Sequence, residues 1–154
     1  MSVARGEGDL PAELLDRVDA LCEWMAAVHT HAHGDLGGRV SPSQLRALLV
    51  VADHDGINLN MLAARLRAMP SSASRLCDRL EGAGLLAREL SATDRREVVL
   101  RLAPDGVGFV EELRSARRQA LAKVLIHLEA DDLDSLVRSL AVLRDAAHRA
   151  GGRD

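Results

Sequence analysis

The fold of this 154-residue chain is decided by residues 58–102, which read NLNMLAARLRAMPSSASRLCDRLEGAGLLARELSATDRREVVLRL. Asn58 is a favourable helix N-cap residue, and the apolar residues after it recur at helical spacing. A turn at residues 67–69 separates this helix from a second one, which begins at Pro70 or Ser71. The inward-facing residues of the second helix are expected to be Ala73, Leu76, Cys77 and Leu80. Two short helices joined by such a turn predict a helix-turn-helix.

The end of the same stretch changes to the period of two that is typical of β-strands. Val98, Leu100 and Leu102 alternate with the residues between them, and residues 87–90 can pair with this strand across a tip at residues 91–96. A β-hairpin directly after a helix-turn-helix is a wing. The stretch therefore predicts a winged helix-turn-helix.

Amphipathic helices are expected on both sides of this unit. Apolar residues recur at helical spacing from Leu10, and the pattern fades near His33. Ser41-Pro42 predicts another helix start, since serine is a good N-cap and proline fits the first helical position. Pro104 ends the strand, a long helix follows it, and a last helix begins at Asp131. The fold class is thus predicted as mainly α with a small β-hairpin wing. One domain is expected over residues 10–150, with a winged helix-turn-helix at 41–104 and a helical dimerisation region at 10–34 and 106–150.

The apolar stripes of the terminal helices need a partner surface. Each fully buried leucine contributes about 1.5–3 kcal/mol, so leaving several of them in water is costly. A symmetric homodimer that uses both ends of the chain covers more of this surface than one chain can. The residues expected in or beside the interface are Leu14, Leu133, Leu136, Leu140 and Leu143.

Composition narrows the function classes. Hydrophobic residues make up 47% of the chain and charged residues 28%, which is a globular balance. Aromatic residues make up only 1%, which argues against base-stacking platforms for single-stranded nucleic acid. The sequence has neither a membrane-spanning apolar run nor a secretory signal pattern, and its two cysteines cannot form a disulfide framework. A cytoplasmic protein is expected. No catalytic arrangement or phosphate-binding loop supports an enzyme, and no cofactor is expected.

Several short motifs together resemble the multiple antibiotic resistance regulator (MarR) family over roughly residues 10–150. They are Leu62-Ala63, Ser74-Arg75, Asp78-Arg79-Leu80-Glu81, Gly84-Leu85-Leu86 and Asp94-Arg95-Arg96. The most specific is the wing pattern Asp-x-Arg, five residues, then Leu-Thr, which is matched here from Asp94 to Leu102 but has Ala103 in place of threonine. Asp105 is expected to help cap the next helix instead. Arg67 is a second departure, because family turns often have glycine there. The resemblance implies a winged-helix homodimer on palindromic double-stranded operators, and many relatives release DNA when a small ligand or an oxidant acts.

The start of the second helix of the helix-turn-helix is the first candidate DNA contact. N-terminal residues of such a helix reach base edges in the major groove, where serine bonds to several bases and arginine pairs with guanine. Ser71, Ser72, Ser74 and Arg75 are the base-contact candidates. Arg65, Arg67, Arg79 and Arg88 are candidates for phosphate contacts. The structural alternative is ordinary helix capping followed by solvated arginines.

The wing tip is the second candidate DNA contact. An arginine fits the narrow, negative minor groove of A·T-rich DNA. By the resemblance, Asp94 orients an arginine there and Arg96 takes the arginine position of the motif, with Arg95 beside it. A solvated turn with a weak salt bridge is the alternative.

Three further features concern effector binding, redox sensing and metal binding. Trp24 and Met25 are placed where a family effector pocket would form, although Trp24 is also a common type of interface residue. Cys22 lies on the apolar stripe of the first helix and is expected to be an inert buried residue, since the tyrosines that assist redox-sensing relatives are missing. His29 and His33 share a helix face and could hold a metal, but a polar helix end is the favoured interpretation, so no metal site is predicted.

Two functions of different classes fit these patterns. The first is a DNA-binding regulator, favoured as a repressor, with double-stranded DNA, a second copy and a small-molecule effector as partners. The second is a winged-helix protein-interaction module that does not bind DNA, which the formal net charge of −3 makes conceivable. Charge is uneven, because residues 58–104 carry eight arginines against five acidic residues. A basic surface from Ser71 to Arg96 would favour DNA, and acidic residues interrupting it would favour protein. The effector, the target genes, the operator and the direction of regulation stay open.

Overall fold

The structure is a computed structural model that describes residues 10–32, 38–91 and 98–151, and within them the side chains of residues 10–28, 38–91 and 98–150. Within these ranges the chain forms six helices and three strands. They are α1 (Ala12–Ala32), α2 (Pro42–Asp53), β1 (Ile57–Asn58), α3 (Leu59–Leu66), α4 (Pro70–Gly82), β2 (Leu86–Leu90), β3 (Val98–Leu102), α5 (Pro104–Leu125) and α6 (Ala130–Gly151). The mainly helical fold with a small β-structure is confirmed. No helix among the described residues is long and apolar enough to cross a membrane.

Local signals fix the starts of α2 and α3. The Ser41 side chain accepts a hydrogen bond from the backbone N–H of Gln44 (3.3 Å), and the Gln44 side chain accepts one from the Ser41 N–H (2.8 Å). Asn58 caps α3 by accepting from the Met61 N–H at 2.9 Å. These two predicted helix starts are confirmed.

The β-structure is larger than the hairpin expected from the sequence. β2 and β3 pair antiparallel, and β1 joins β3 on its other edge, with Ile57 opposite Leu100. The two-residue β1 was missed because its partner lies more than 40 residues away and the segment is too short to show a period. The sheet therefore has the order β1-β3-β2.

The chain divides into two compact units, Met1–Arg117 and Arg118–Asp154. The core of the first unit is apolar and joins the helix-turn-helix to the sheet and to the start of α5. Its largest fully buried side chains are Leu48, Leu62, Cys77, Leu80, Leu100, Val110 and Leu113. The second unit contains α6, along which Leu133 and Leu136 are half-buried.

Candidate nucleic-acid interface

The first turn of α4 presents a small polar surface. Ser71 and Ser72 are exposed, and Ser74 is half-buried. The N-cap residue is Met69, which makes no side-chain cap hydrogen bond, so the serines do not serve as caps. A helix N-terminus is the positive end of the helix dipole and favours anions. The predicted serines are therefore gathered at an end of α4 that suits a phosphate-rich partner.

Two arginines extend this surface along α4. Arg75 and Arg79 are exposed, and with Ser72 they line the outward face of the helix. Opposite them on the same helix, Ala73, Leu76, Cys77 and Leu80 are buried, as predicted. The helix is thus held by its apolar face while its cationic face is left outward.

A groove connects α4 to α2. It has a volume of about 230 Å³, and its polar rim is formed by Ser43, Arg46, Ser72 and Arg79. Its apolar walls are Leu66, Ala68, Ala73 and Leu76. Ser43 and Arg46 were not among the sequence candidates, because they lie before the basic region of the chain and meet α4 only through the fold. Arg46 is exposed and adds a positive charge beside Arg79.

Arg88 on β2 is bound to the other flank of α4. Its guanidinium donates to Asp78 at 2.7 Å and to Glu81, and its side chain is only 30% exposed. The hydrogen bond to Asp78 raises the pKa of Arg88 above its ordinary value, so the guanidinium stays charged. We call these three residues the Arg88 bridge. Asp78 also shares the outward face with Arg75, so the basic surface is interrupted there by an acid that Arg88 partly neutralises.

The turn between α3 and α4 has an unusual backbone. Arg67 adopts φ 52° and ψ 45°, and it is the one non-glycine residue with positive φ among the described residues. Its N–H donates to the carbonyl of Ala64 at 3.0 Å and so closes α3. The turn keeps a left-handed geometry that suits glycine, although an arginine occupies it. Arg65 and Arg67 are both exposed.

The tip of the β2–β3 hairpin lies outside the described residues. This includes Asp94, Arg95 and Arg96. The described part of the hairpin runs as far as the pair of Leu90 and Val98, which are 66% and 47% exposed.

The remaining predicted residues lie on α1 and on α6. Leu14 is exposed on α1, as are Leu15, Val18, Leu21 and Trp24, whereas Met25 is half-buried. On α6, Leu140 and Leu143 are exposed.

The two cysteines differ in burial. The expectation that Cys22 is buried is wrong for the single chain, because the stripe of α1 that carries it is exposed. Cys77 is buried as predicted, and this burial raises the pKa of its thiol.

The side chains of His29 and His33 lie outside the described residues. Among the side chains that are described, no group of three or more histidine, cysteine, aspartate or glutamate residues could hold a metal.

Comparisons with known proteins agree with this architecture. Residues 40–97 match the model of the MarR family. The transcriptional repressor MdtR of Bacillus subtilis is 31% identical over 108 residues, which cover 70% of each chain. The crystal structure of Rv1404 from Mycobacterium tuberculosis has a TM-score of 0.79 at 28% identity and covers 94% of this chain and 98% of that one.

MepR of S. aureus shares the fold at lower identity. A MepR mutant bound to an oligodeoxyribonucleotide has a TM-score of 0.61 at 20% identity, covering 90% of this chain and 99% of that one. MepR bound to ethidium bromide has a TM-score of 0.65 at 19% identity, covering 92% and 99%.

Proposed function

The chain belongs to the MarR family of winged-helix transcriptional regulators, and we propose that it is a cytoplasmic repressor that binds a palindromic double-stranded operator as a homodimer. The observation that carries this proposal is the outward face of α4, where Ser71, Ser72 and Arg75 lie near an N-terminus without a side-chain cap and Arg79 lies in the last turn. A mutant of MepR, which shares the fold, has a solved structure bound to an oligodeoxyribonucleotide.

In this proposal α4 enters the major groove. Ser71, Ser72, Ser74 and Arg75 then reach base edges, with Arg75 pairing with guanine. Arg79 and Arg46 flank the helix and contact phosphates, which supply much of the affinity and little of the sequence preference. Two copies related by a twofold axis place two α4 helices in half-sites about one helical turn apart.

The wing is proposed as a second contact. Arg96, with Asp94 and Arg95 beside it, enters the adjacent minor groove and responds to its width and negative potential. Replacing Arg96 with alanine is expected to weaken all operator variants evenly. If Arg96→Ala leaves both affinity and its salt dependence intact, this contact is absent.

Dimerisation is proposed from the apolar stripes that the single chain exposes. Leu14 on α1 is 42% exposed, and Leu140 and Leu143 on α6 are 48% and 56% exposed. Burying such leucines in a second copy contributes about 1.5–3 kcal/mol each. Leu133 and Leu136 continue the α6 stripe.

The proposed repressor also responds to a small-molecule effector. MepR has a solved structure bound to ethidium bromide. In this chain Trp24 and Met25 are the proposed lining residues. Half-maximal release of a bound operator by a panel of aromatic cations and anions tests this, with Trp24→Ala as the variant that should lose the response.

Asp78 supports a competing function, because an acid on the face of α4 suits a basic protein partner as well. Selection of binding sites from random duplex DNA separates the two functions. Enrichment of a palindrome supports the repressor, whereas no enrichment at low salt would favour a winged-helix protein-interaction module. Placing the selected site over a promoter in a transcription assay then shows the direction of regulation.

A further inference from the structure

Arg88 joins the two parts of the molecule that the proposed function brings to DNA. Its backbone lies in β2, opposite Leu100, which is 1% exposed and anchors the hairpin in the core. Its side chain crosses to α4 and binds Asp78 and Glu81, three residues apart on one flank of that helix. Arginine suits this position, because its planar fork can bind two carboxylates at once.

These contacts make Arg88 a poor candidate for a phosphate contact. Its guanidinium is already paired with two carboxylates, and its side chain is less exposed than those of either partner. A phosphate would have to displace Asp78 or Glu81, and the displaced carboxylate would then lose its pairing with Arg88 next to DNA.

We propose that Arg88 is a positioning residue, which fixes the angle between α4 and the hairpin so that both reach the duplex together. This inference rests on the proposed function. A surface whose parts are already held in the bound geometry loses less freedom on binding, so it binds more tightly. The Arg88 bridge also partly neutralises Asp78, which shares the outward face of α4 with Arg75.

The proposal is tested by removing the two negative charges of the bridge and measuring whether operator binding becomes tighter or weaker. The double variant Asp78→Asn, Glu81→Gln makes the surface more positive and leaves Arg88 unpaired. If Arg88 were a phosphate contact, this variant would bind the selected operator more tightly. A positioning role predicts binding that is weaker, by roughly threefold to tenfold per half-site, as expected for losing two partly exposed ion pairs.

A second arginine bridge provides a matched control. Arg114 binds Asp53 at 3.0 Å and Glu111 at 3.2 Å, away from α4. The variant Asp53→Asn, Glu111→Gln also removes one aspartate charge and one glutamate charge. It is expected to bind the operator as tightly as the wild type or slightly more tightly. Equal weakening by both double variants would overturn the proposal.

Two further measurements separate positioning from contact. Arg88→Gln should weaken binding without changing the slope of log K against log salt, whereas loss of a phosphate contact lowers that slope by about 0.9. Arg88→Lys should restore part of the affinity. In the free protein, hydrogen exchange at the β2 amides should be faster in Arg88→Gln and in Asp78→Asn, Glu81→Gln than in the wild type.

The outcomes also distinguish this inference from the proposed function. A wild type that selects no duplex overturns the proposed function. A wild type that binds its operator, with Asp78→Asn, Glu81→Gln binding as tightly or with β2 exchange unchanged, overturns the positioning role alone.

Discussion

Gly106 lies against the backbone of Leu85 so closely that a Cβ atom at Gly106 would be 1.9 Å from the Leu85 carbonyl oxygen. The same oxygen accepts a hydrogen bond from the Ala103 N–H at 3.2 Å. The first turn of α5 is therefore packed directly on the turn that links α4 to β2. Only glycine allows this approach without a backbone shift.

We expect Gly106→Ala to destabilise the fold by about 1–3 kcal/mol, because the added methyl group overpacks a contact with backbone. Gly108 in the same helix is the matched control, since a Cβ there would have no neighbour within 4 Å. Gly108→Ala should stabilise the protein by up to about 1 kcal/mol through helix propensity. Urea unfolding of both variants measures the two effects, and equal changes would contradict the packing argument.

Arg67→Gly should raise the free energy of unfolding by about 1 kcal/mol. Arg67 has a φ of 52°, and a left-handed backbone costs an L-residue about 1–2 kcal/mol, part of which glycine gives back through its freer unfolded chain. Arg67→Ala keeps the Cβ atom and should leave stability nearly unchanged, so it is the control in the same urea titration. If Arg67→Ala stabilises as much as Arg67→Gly, the arginine charge is the cause and the backbone is not.

These positions show which features the sequence could predict. The caps at Ser41 and Asn58 depend on residues three positions away, so a local pattern is enough to find them. The Arg88 bridge spans seven and ten residues and depends on how β2 meets α4, which no local period reveals. Arg46 likewise joins the candidate interface only through the packing of α2 beside α4.

The exposure of Cys22 was not predictable for a related reason. An apolar stripe indicates that a helix has a buried side, but it does not say whether its own chain or another covers it. Leu14, Val18 and Leu21 lie on the same exposed side of α1 as Cys22. The sequence predicted the apolar side of α1, and the cover expected for it, a second copy, stays a prediction.

Cys77 should make stability fall at alkaline pH. Burial raises the pKa of its thiol above the ordinary value of 9.0, so above pH 9 the unfolded chain ionises first. Its contribution is fully present below pH 9 and is lost as the pH rises through the higher folded pKa, with a slope of at most about 1.4 kcal/mol per pH unit. The chain has no tyrosine and Lys123 is its one lysine, so little else titrates in this range.

The measurement is urea unfolding from pH 8 to 10.5 in a Cys22→Ser background, with and without Cys77→Ala. The alanine variant should lose the alkaline fall. A fall of the same size in both proteins would assign it to another group.

Leu140→Asp should dissociate the proposed homodimer, because it places a carboxylate in the α6 stripe twice per dimer. Losing two buried leucines at about 1.5–3 kcal/mol each raises the dimer dissociation constant by at least about a hundredfold. Val142 is the matched control, since it lies two residues on, about 200° around the same helix, and is more exposed, at 66% against 48%. Sedimentation velocity at micromolar concentration should find Leu140→Asp monomeric and Val142→Asp dimeric. A dimeric Leu140→Asp would remove α6 from the interface.

Arg75 and Arg46 should affect DNA binding in different ways. Arg75 is exposed on the outward face of α4, and the proposed function pairs it with a base edge, where losing a bidentate pair costs about 1–3 kcal/mol of discrimination. Arg75→Ala should therefore relax the preference at one base pair of each half-site and leave the others as selective as before. Arg46 lines the groove together with Arg79, and the proposed function assigns it a phosphate contact. Arg46→Ala should weaken binding to every operator variant by the same factor and lower the slope of log K against log salt by about 0.9 per half-site.

Affinities for the selected operator and its single-base variants at several salt concentrations provide both readouts. If Arg75→Ala weakens all variants equally and lowers the salt slope, Arg75 contacts phosphate, and the serines of the first turn then become the residues that read the sequence.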